Sequence, residues 1–160
     1  MIHYKHVQTP LGAMLIAANE AGLVGLWFDQ QKHHPSLEAW QPVRSHHWLD
    51  QGEAEIKAYF EGTLRAFKTP LSAAWGTDFQ QSVWNALKQI PMGQTLSYGE
   101  LAQRVDKPTA VRAVGAAVGK NPWSIIVPCH RIVGANGSLT GYAGGVDRKR
   151  ALLGLERVTL

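Results

Sequence analysis

The chain has 160 residues, of which 45% are hydrophobic and 18% are charged, and it contains a single cysteine. This apolar content is typical of a folded protein and excludes general disorder, while one cysteine excludes a disulfide framework and a multi-cysteine zinc site. No apolar run approaches the roughly 20 residues that span a bilayer, and the N-terminus lacks a signal-type apolar core. We expect a soluble, cytoplasmic protein with no membrane segment.

The charge is unevenly distributed along the chain. Residues 1–75 carry six Lys or Arg and seven Asp or Glu, a net charge of −1, whereas residues 76–160 carry ten and five, a net charge of +5. We predict a domain boundary between these two ranges. A basic second domain favours an anionic partner, although such a charge is also ordinary for a solvated surface.

The first domain reads as a small α+β unit. Three short runs of strand-type residues, separated by turn sequences, predict an antiparallel meander at 2–7, 14–18 and 23–28. Residues 30–44 show no periodicity and are predicted to form a loop. A helix is predicted from about Asp50 to Phe60, with Gly62 ending it.

Six of the seven histidines precede residue 50, which raises the question of a metal site. They include two adjacent pairs, His33-His34 and His46-His47, and adjacent side chains point apart on a strand or a helix. We therefore predict solvated surface histidines and no metal.

The second domain begins with two capping boxes, each of which predicts the start of a helix. Thr77 and Gln80 open a helix with an apolar stripe that ends before Pro91, and Ser97 and Glu100 open a short helix to about Val105. A third helix follows Pro108, and its predicted buried stripe is Val111, Val114 and Val118. Two helices joined by a short turn indicate a helix-turn-helix.

Small residues lie on the third helix away from its valine stripe, at Gly115, Ala116 and Gly119, together with Arg112. They would let the helix backbone approach DNA closely, but tight packing between helices uses the same residues. The pattern alone leaves both interpretations open.

The single cysteine follows an apolar, β-rich run, residues 124–127, which we predict to be a strand ending at Pro128. A lone cysteine is by default a small buried hydrophobe. Three features favour a reactive one: Pro128 stiffens the backbone, His130 and Arg131 are cationic groups that favour a thiolate, and the glycine-rich residues 141–145 could line a pocket.

The segment Pro128-Cys129-His130-Arg131-Ile132-Val133 resembles the active-site motif of the O6-alkylguanine-DNA alkyltransferases. Further residues stand at the offsets of that family from the cysteine: Tyr98-Gly99, Arg112-Ala113-Val114-Gly115, Asn121-Pro122, Gly141-Tyr142 and Glu156. The resemblance covers essentially the whole chain and is closest to the short, constitutive bacterial form. It implies an α+β fold with an N-terminal ribonuclease H-like antiparallel sheet and helix, followed by a helix-rich domain with a winged helix-turn-helix.

The resemblance also implies a function, DNA repair by direct reversal. The chain would transfer the alkyl group of O6-alkylguanine in double-stranded DNA to Cys129, once per molecule, with no cofactor. In the family a water links the cysteine to His130, Glu156 orients that histidine, and Asn121 holds the active-site turn. Tyr98 would donate a proton to N3 of the leaving guanine, and the base pocket would be formed by Pro128, Ile132, Tyr142 and Ala143.

The alkylated base can reach a buried cysteine only if it is flipped out of the helix. By resemblance, Arg112 fills the vacated space, and the third helix enters the minor groove. The DNA-binding residues implied are Tyr98, Arg112, Ala113, Gly115, Ala116 and Gly119. Because damage occurs in any sequence, we expect binding to rest on phosphates.

Three alternatives remain at this point. An alkyltransferase-like protein would bind the lesion without repairing it, although that subgroup lacks the cysteine. A transcription regulator would need sequence-specific contacts, and a cysteine hydrolase would need turnover. Glu156 could also be a surface carboxylate and Tyr142 a core aromatic. We expect a monomer in solution, while cooperativity on DNA, the preferred alkyl group and activity on O4-alkylthymine stay open.

Overall fold

The structure is a computed structural model that describes residues 1–158. The chain divides into two compact units, Met1–Ala74 and Trp75–Leu160. Within the described residues, none of the helices combines the length and the apolar character needed to cross a membrane.

The first unit contains the predicted meander. Strands β1 (His3–Thr9), β2 (Gly12–Asn19) and β3 (Gly22–Phe28) pair antiparallel in sequence order. A two-residue strand, β4 (Gln41–Pro42), joins β1 in parallel and gives the order β3-β2-β1-β4. Part of the predicted loop is therefore a strand, and its Pro42 is tolerated because an edge strand does not need every backbone N–H.

Helix α1 (His47–Glu61) packs on this sheet through its buried face, which includes Leu49, Ile56 and Tyr59. It ends at Gly62, whose φ of 79° is the left-handed conformation that glycine adopts easily. This C-terminal end was predicted, but the helix begins three residues before Asp50. The earlier start arises because the His46 ring accepts a hydrogen bond from the Trp48 backbone N–H at 3.2 Å and caps the helix.

The paired histidines do not all behave as predicted. The rings of His46 and His47 stack with centroids 4.7 Å apart, and His3 stacks on His46 at 5.4 Å. The expectation that neighbouring rings diverge is wrong at this pair. It assumed one regular backbone, whereas His46 is extended and His47 is the first helical residue.

The second unit contains the predicted helix-turn-helix. Helix α2 (Asp78–Leu87) and helix α3 (Tyr98–Arg104) both begin with complete capping boxes, and helix α4 (Val111–Gly119) follows α3 after a short turn. The buried stripe of α4 is Val114, Ala117 and Val118, while Val111 is 39% exposed. Val111 was wrongly predicted as buried because it is the first residue of α4, and the packed residues of that helix lie further along it.

Two further elements complete this unit. Strand β5 (Leu96–Ser97) pairs in parallel with β6 (Ile132–Val133), and these form the small sheet beside the helix-turn-helix. Helix α5 (Val146–Leu155) is the last element. The mixed α+β fold with a helical second domain is as predicted.

The predicted strand at residues 124–127 is absent. The segment is a turn, closed by hydrogen bonds from the Ile126 N–H to the Ser124 carbonyl at 2.8 Å and from the Val127 N–H to the Trp123 carbonyl at 2.9 Å. Its residues are apolar because Ile125 and Val127 are buried, not because they belong to a sheet. Composition could not separate these two cases, since both give a short apolar run.

Candidate active site

A buried amide holds the turn that precedes the cysteine. Asn121 donates through Nδ2 to the carbonyl oxygens of Val127 at 2.8 Å and Trp123 at 3.3 Å, and its Oδ1 accepts from the Trp123 backbone N–H at 3.0 Å. These bonds stabilise a turn in which Ile125 has a φ of 71°, an outlier for a β-branched residue. The Asn121 side chain also hydrogen-bonds Cys129. The structure therefore brings Asn121 to both the turn and the thiol.

Cys129 is the first residue of a single 3-10 turn, Cys129–Arg131, and only 6% of it is exposed. Burial raises the pKa of the thiol because an apolar environment disfavours the thiolate. The hydrogen bond from Asn121 and the positive charge of Lys149 lower that pKa and oppose the effect of burial. A thiol in this position needs a proton acceptor to react at neutral pH.

The adjacent histidine forms a buried pair with a carboxylate. His130 Nε2 lies 2.7 Å from Glu156 Oε2, and neither side chain has any exposed surface. Burial alone would raise the pKa of Glu156, but hydrogen bonds from His130 and Arg131 hold it at about 2. Glu156 is thus an ionised residue at the end of α5, and the alternative of a surface carboxylate is wrong.

Arg131 fixes this carboxylate in place. Its Nε donates to Glu156 Oε1 at 2.8 Å, its Nη2 donates to Oε2 at 3.0 Å, and its Nη1 donates to the Ile90 carbonyl oxygen at 2.6 Å. The two parallel bonds are the bidentate geometry that a guanidinium and a carboxylate favour. Arg131 therefore orients Glu156 and forms its ion pair with that carboxylate, rather than acting directly on the thiol.

This arrangement leaves His130 suited to accept a proton. Because Nε2 faces an ionised carboxylate, the ring carries its proton on that nitrogen, and Nδ1 keeps its lone pair. Nδ1 is buried and has no hydrogen-bond partner among residues 1–158. Burial lowers the pKa of His130, Glu156 raises it, and Arg131 and Lys149 lower it further. His130 is therefore a neutral base at physiological pH.

Tyr98 lies at the start of α3, close enough to Cys129 for the charge of the thiolate to affect it. Burial raises the pKa of its half-buried phenol, and a hydrogen bond with the Thr140 side chain opposes the rise. A Cβ at Gly115 would stand 3.7 Å from the Tyr98 ring, so α4 passes directly beside that ring. The phenol is protonated at neutral pH and can donate a proton.

The residues predicted to line the base pocket fall into two groups. Pro128 and Ile132 flank the cysteine turn and are buried, whereas Tyr142 and Ala143 are half-buried in the loop before α5. The loop is closed by a hydrogen bond from the Gly145 N–H to the Tyr142 carbonyl oxygen at 2.9 Å.

Apart from Tyr98, which begins α3, the residues predicted to contact DNA lie along one side of α4. Arg112, Ala113 and Ala116 are exposed, and Gly115 and Gly119 are partly so. A Cβ at Gly119 would meet no atom within 4 Å, so tight packing inside the protein does not account for that glycine. The backbone of α4 is consequently accessible on this side.

Two family models match the chain, and together they cover nearly all of it. Residues 2–73 match the ribonuclease-like domain of 6-O-methylguanine DNA methyltransferase, and residues 78–158 match its DNA binding domain. The chain belongs to the 6-O-methylguanine DNA methyltransferase family. The resemblance drawn from the cysteine motif is thereby confirmed.

Relatives in this family match the chain over most of their length. The methylated-DNA–protein-cysteine methyltransferase of Mycobacterium tuberculosis is 47% identical over 98% of this chain and 93% of its own, and that of Methanosarcina acetivorans is 46% identical over 97% and 98%. The crystal structure of M. tuberculosis OGT in complex with DNA superposes with a TM-score of 0.89 at 46% identity, covering 97% of this chain and 92% of that one.

Three residues of the site were missed or misinterpreted from the sequence alone. Arg131 was interpreted as a cation beside the thiol, and Thr140 was not considered. Lys149 was regarded only as one of three basic residues that could pair with Glu156 at the surface. The motif contains Arg131, but only the folded chain shows that its partner is Glu156, 25 residues away. Lys149 stands in a run of three cations, Arg148 to Arg150, and nothing in that run indicates that its central member is buried.

Proposed function

We propose that this chain repairs DNA by transferring the alkyl group of O6-alkylguanine to Cys129, irreversibly and once per molecule. The observation that carries the proposal is the buried Cys129 beside a histidine whose Nε2 is bound to an ionised carboxylate and whose Nδ1 keeps its lone pair. Membership of the family and the likeness to relatives with this activity by name support it.

The proton of the thiol is the first to move. In the proposed order of steps, Cys129 loses its proton through a water to His130 Nδ1, and Glu156 stabilises the imidazolium that forms. Because His130 Nδ1 has no hydrogen-bond partner among residues 1–158, the thiol does not bond to it directly, and a water suits this pair better. Asn121 and Lys149 both stabilise the thiolate.

The thiolate then displaces guanine in one step. A sulfur–carbon bond forms while the bond from that carbon to O6 breaks, and its electron pair stays on the base. Tyr98 donates a proton to the departing guanine and is reprotonated from solvent, while His130 releases the thiol proton to solvent. Overall, the thiol proton is exchanged for the alkyl group and the guanine gains a proton. The thioether is stable, so the protein is consumed.

Double-stranded DNA is the proposed partner, and α4 is its proposed binding element. The accessible backbone at Gly115, Ala116 and Gly119 permits close approach to the minor groove, and Arg112 is exposed where it could enter the base stack. Ala113 lies on the same side. Flipping costs a few kcal/mol, less at a damaged base. The reaction needs a reduced thiol, so we place it in the cytoplasm, where thiols are kept reduced.

The test is a duplex with one O6-methylguanine carrying a labelled methyl group. Label is expected on the protein at one equivalent and no more, and Cys129→Ser is expected to abolish it. His33→Gln, an exposed histidine change, is the matched control for His130→Gln, which should slow transfer by about 100-fold or more. Repeated turnover, or binding of the lesion with no label on the protein, would overturn the proposal in favour of a hydrolase or a lesion-binding protein.

A further inference from the structure

Lys149 is a buried lysine that the proposed chemistry does not use as a reactant. It lies on α5, its relative exposure is 0%, and no carboxylate pairs with it among residues 1–158. Burying an ammonium without a counter-charge is costly, and burial lowers the pKa of Lys149 to about 8. A buried lysine at this position therefore needs a compensating role.

The ammonium closes the loop that carries the pocket residues. Lys149 Nζ donates to the Thr140 carbonyl oxygen at 2.8 Å, at the start of the loop. The backbone N–H of the same residue donates to the Gly145 carbonyl oxygen at 3.1 Å, at its end, as the first bond of α5. The segment between them contains Tyr142 and Ala143. One residue therefore fixes both ends of this loop.

The same contact reaches the proton donor. Thr140, whose carbonyl is held by Lys149, uses its side chain to hydrogen-bond the Tyr98 hydroxyl. Thr140 itself lies at the surface, so its position is not set by burial. The bond from the buried ammonium supplies the constraint that burial does not.

Lys149 is also linked to the nucleophile. Its positive charge favours the thiolate of Cys129, and the thiolate in turn favours the ammonium. In the proposed reaction the thiolate attacks the alkyl carbon and the phenol protonates the departing base, and Lys149 acts on both groups. Neither effect requires it to touch the substrate.

We propose that Lys149 is a positioning residue for alkyl transfer. Through the Thr140 carbonyl it fixes the pocket loop, and through the Thr140 hydroxyl it positions the Tyr98 phenol to donate to the leaving base. This inference rests on the proposed function, because it assigns a role within that reaction. The chain Lys149–Thr140–Tyr98 also predicts how its members depend on one another. Removing the Thr140 hydroxyl should matter only while the Tyr98 hydroxyl is present.

The experiment measures single-turnover label transfer at a series of protein concentrations, which separates the affinity for the alkylated duplex from the maximal rate constant. Lys149→Met removes the ammonium and keeps the chain length. Arg150→Met makes the same charge change at an exposed position of α5 and is the matched control. Thermal unfolding of each variant shows whether it is folded.

Lys149→Met is expected to lower the maximal rate constant by about 10- to 100-fold, the effect of losing a charge-assisted hydrogen bond, with duplex affinity changed less than about twofold. Arg150→Met should leave the rate constant within about twofold. A loss confined to affinity, or an equal loss in both variants, overturns the inference.

Thr140→Val keeps the test decisive if Lys149→Met does not fold, since it removes one surface hydroxyl and leaves the carbonyl in place. It should slow transfer by about 3- to 10-fold in the wild-type background and have no effect in the Tyr98→Phe background. A wild-type rate for Thr140→Val, or the same slowing in both backgrounds, refutes the role of Thr140. Failure of the unaltered protein to take up label would instead refute the proposed function.

Discussion

Replacing Glu156 by Gln tests the electrostatics of the site most directly. The pKa of this carboxyl falls from an ordinary 4.5 to about 2 in the folded protein, and each pKa unit corresponds to about 1.4 kcal/mol. The ionised carboxylate therefore contributes about 3 kcal/mol to the free energy of unfolding at pH 7. The side chain has no exposed surface, so solvent does not screen this contribution. We expect Glu156→Gln to destabilise the protein by about that amount.

The pH dependence of this loss has a definite sign. A carboxyl whose pKa is lower in the folded state stabilises the protein fully above its unfolded pKa, here about 4.5, and loses that effect as the pH falls towards 2. The difference between wild type and Glu156→Gln should thus shrink to less than about half at pH 3. Urea unfolding at pH 7 and pH 3, followed by tryptophan fluorescence and circular dichroism, measures both values.

The matched control is Glu100→Gln, which makes the same chemical change in the same unit at an exposed position. Gln completes a capping box as Glu does, so the control should unfold almost as the wild type does. A destabilisation below about 1 kcal/mol for Glu156→Gln at pH 7, or equal losses at both pH values, would refute the account of the ion pair.

Three further outcomes are expected. Asn121→Ala should lower the free energy of unfolding by about 2–3 kcal/mol and slow label transfer, because buried groups of the cysteine turn lose their partner; unchanged urea unfolding would contradict this. Arg112→Ala should slow transfer from duplex DNA by about tenfold or more, because flipping is then unassisted. Reaction with the free O6-methylguanine base and the thermal midpoint of unfolding should stay unchanged, and Lys88→Ala, which lies outside α4, is the control. Because burial lowers the pKa of His130, the transfer rate should not fall between pH 7.5 and 6.5, and a decline across that range would show a protonated imidazole.

Local signals in the sequence predicted most of the fold correctly. The capping boxes at Thr77 and Ser97 and the left-handed glycine at Gly62 act within one helical turn, so their effect is already present in the sequence. The start of α1 was missed because a histidine cap is outside the usual set of Ser, Thr, Asp and Asn. The two-residue β4 was missed because it depends on pairing with β1 and not on its own residues.

The apolar run before Pro128 shows where local reasoning fails. Burial and strand formation favour the same residues, and the difference lies in the Asn121 side chain, which takes the hydrogen bonds that a neighbouring strand would otherwise take. The resemblance placed Asn121 at the turn, but the strand prediction was made without it. Of the two expectations, the one drawn from the resemblance was the better guide to this segment.

The sequence by itself determined the family and predicted the nucleophile and the histidine beside it, because a rare motif around one cysteine and its spaced partners can be read without coordinates. Only the tertiary structure decided how these groups are tuned. Glu156 is bound by both His130 and Arg131, and the charge in the middle of a basic run, Lys149, is buried near the thiol. The reason is physical: a pKa depends on burial and on charges within a few ångströms, and residues 20 or more positions apart become neighbours only when the chain folds.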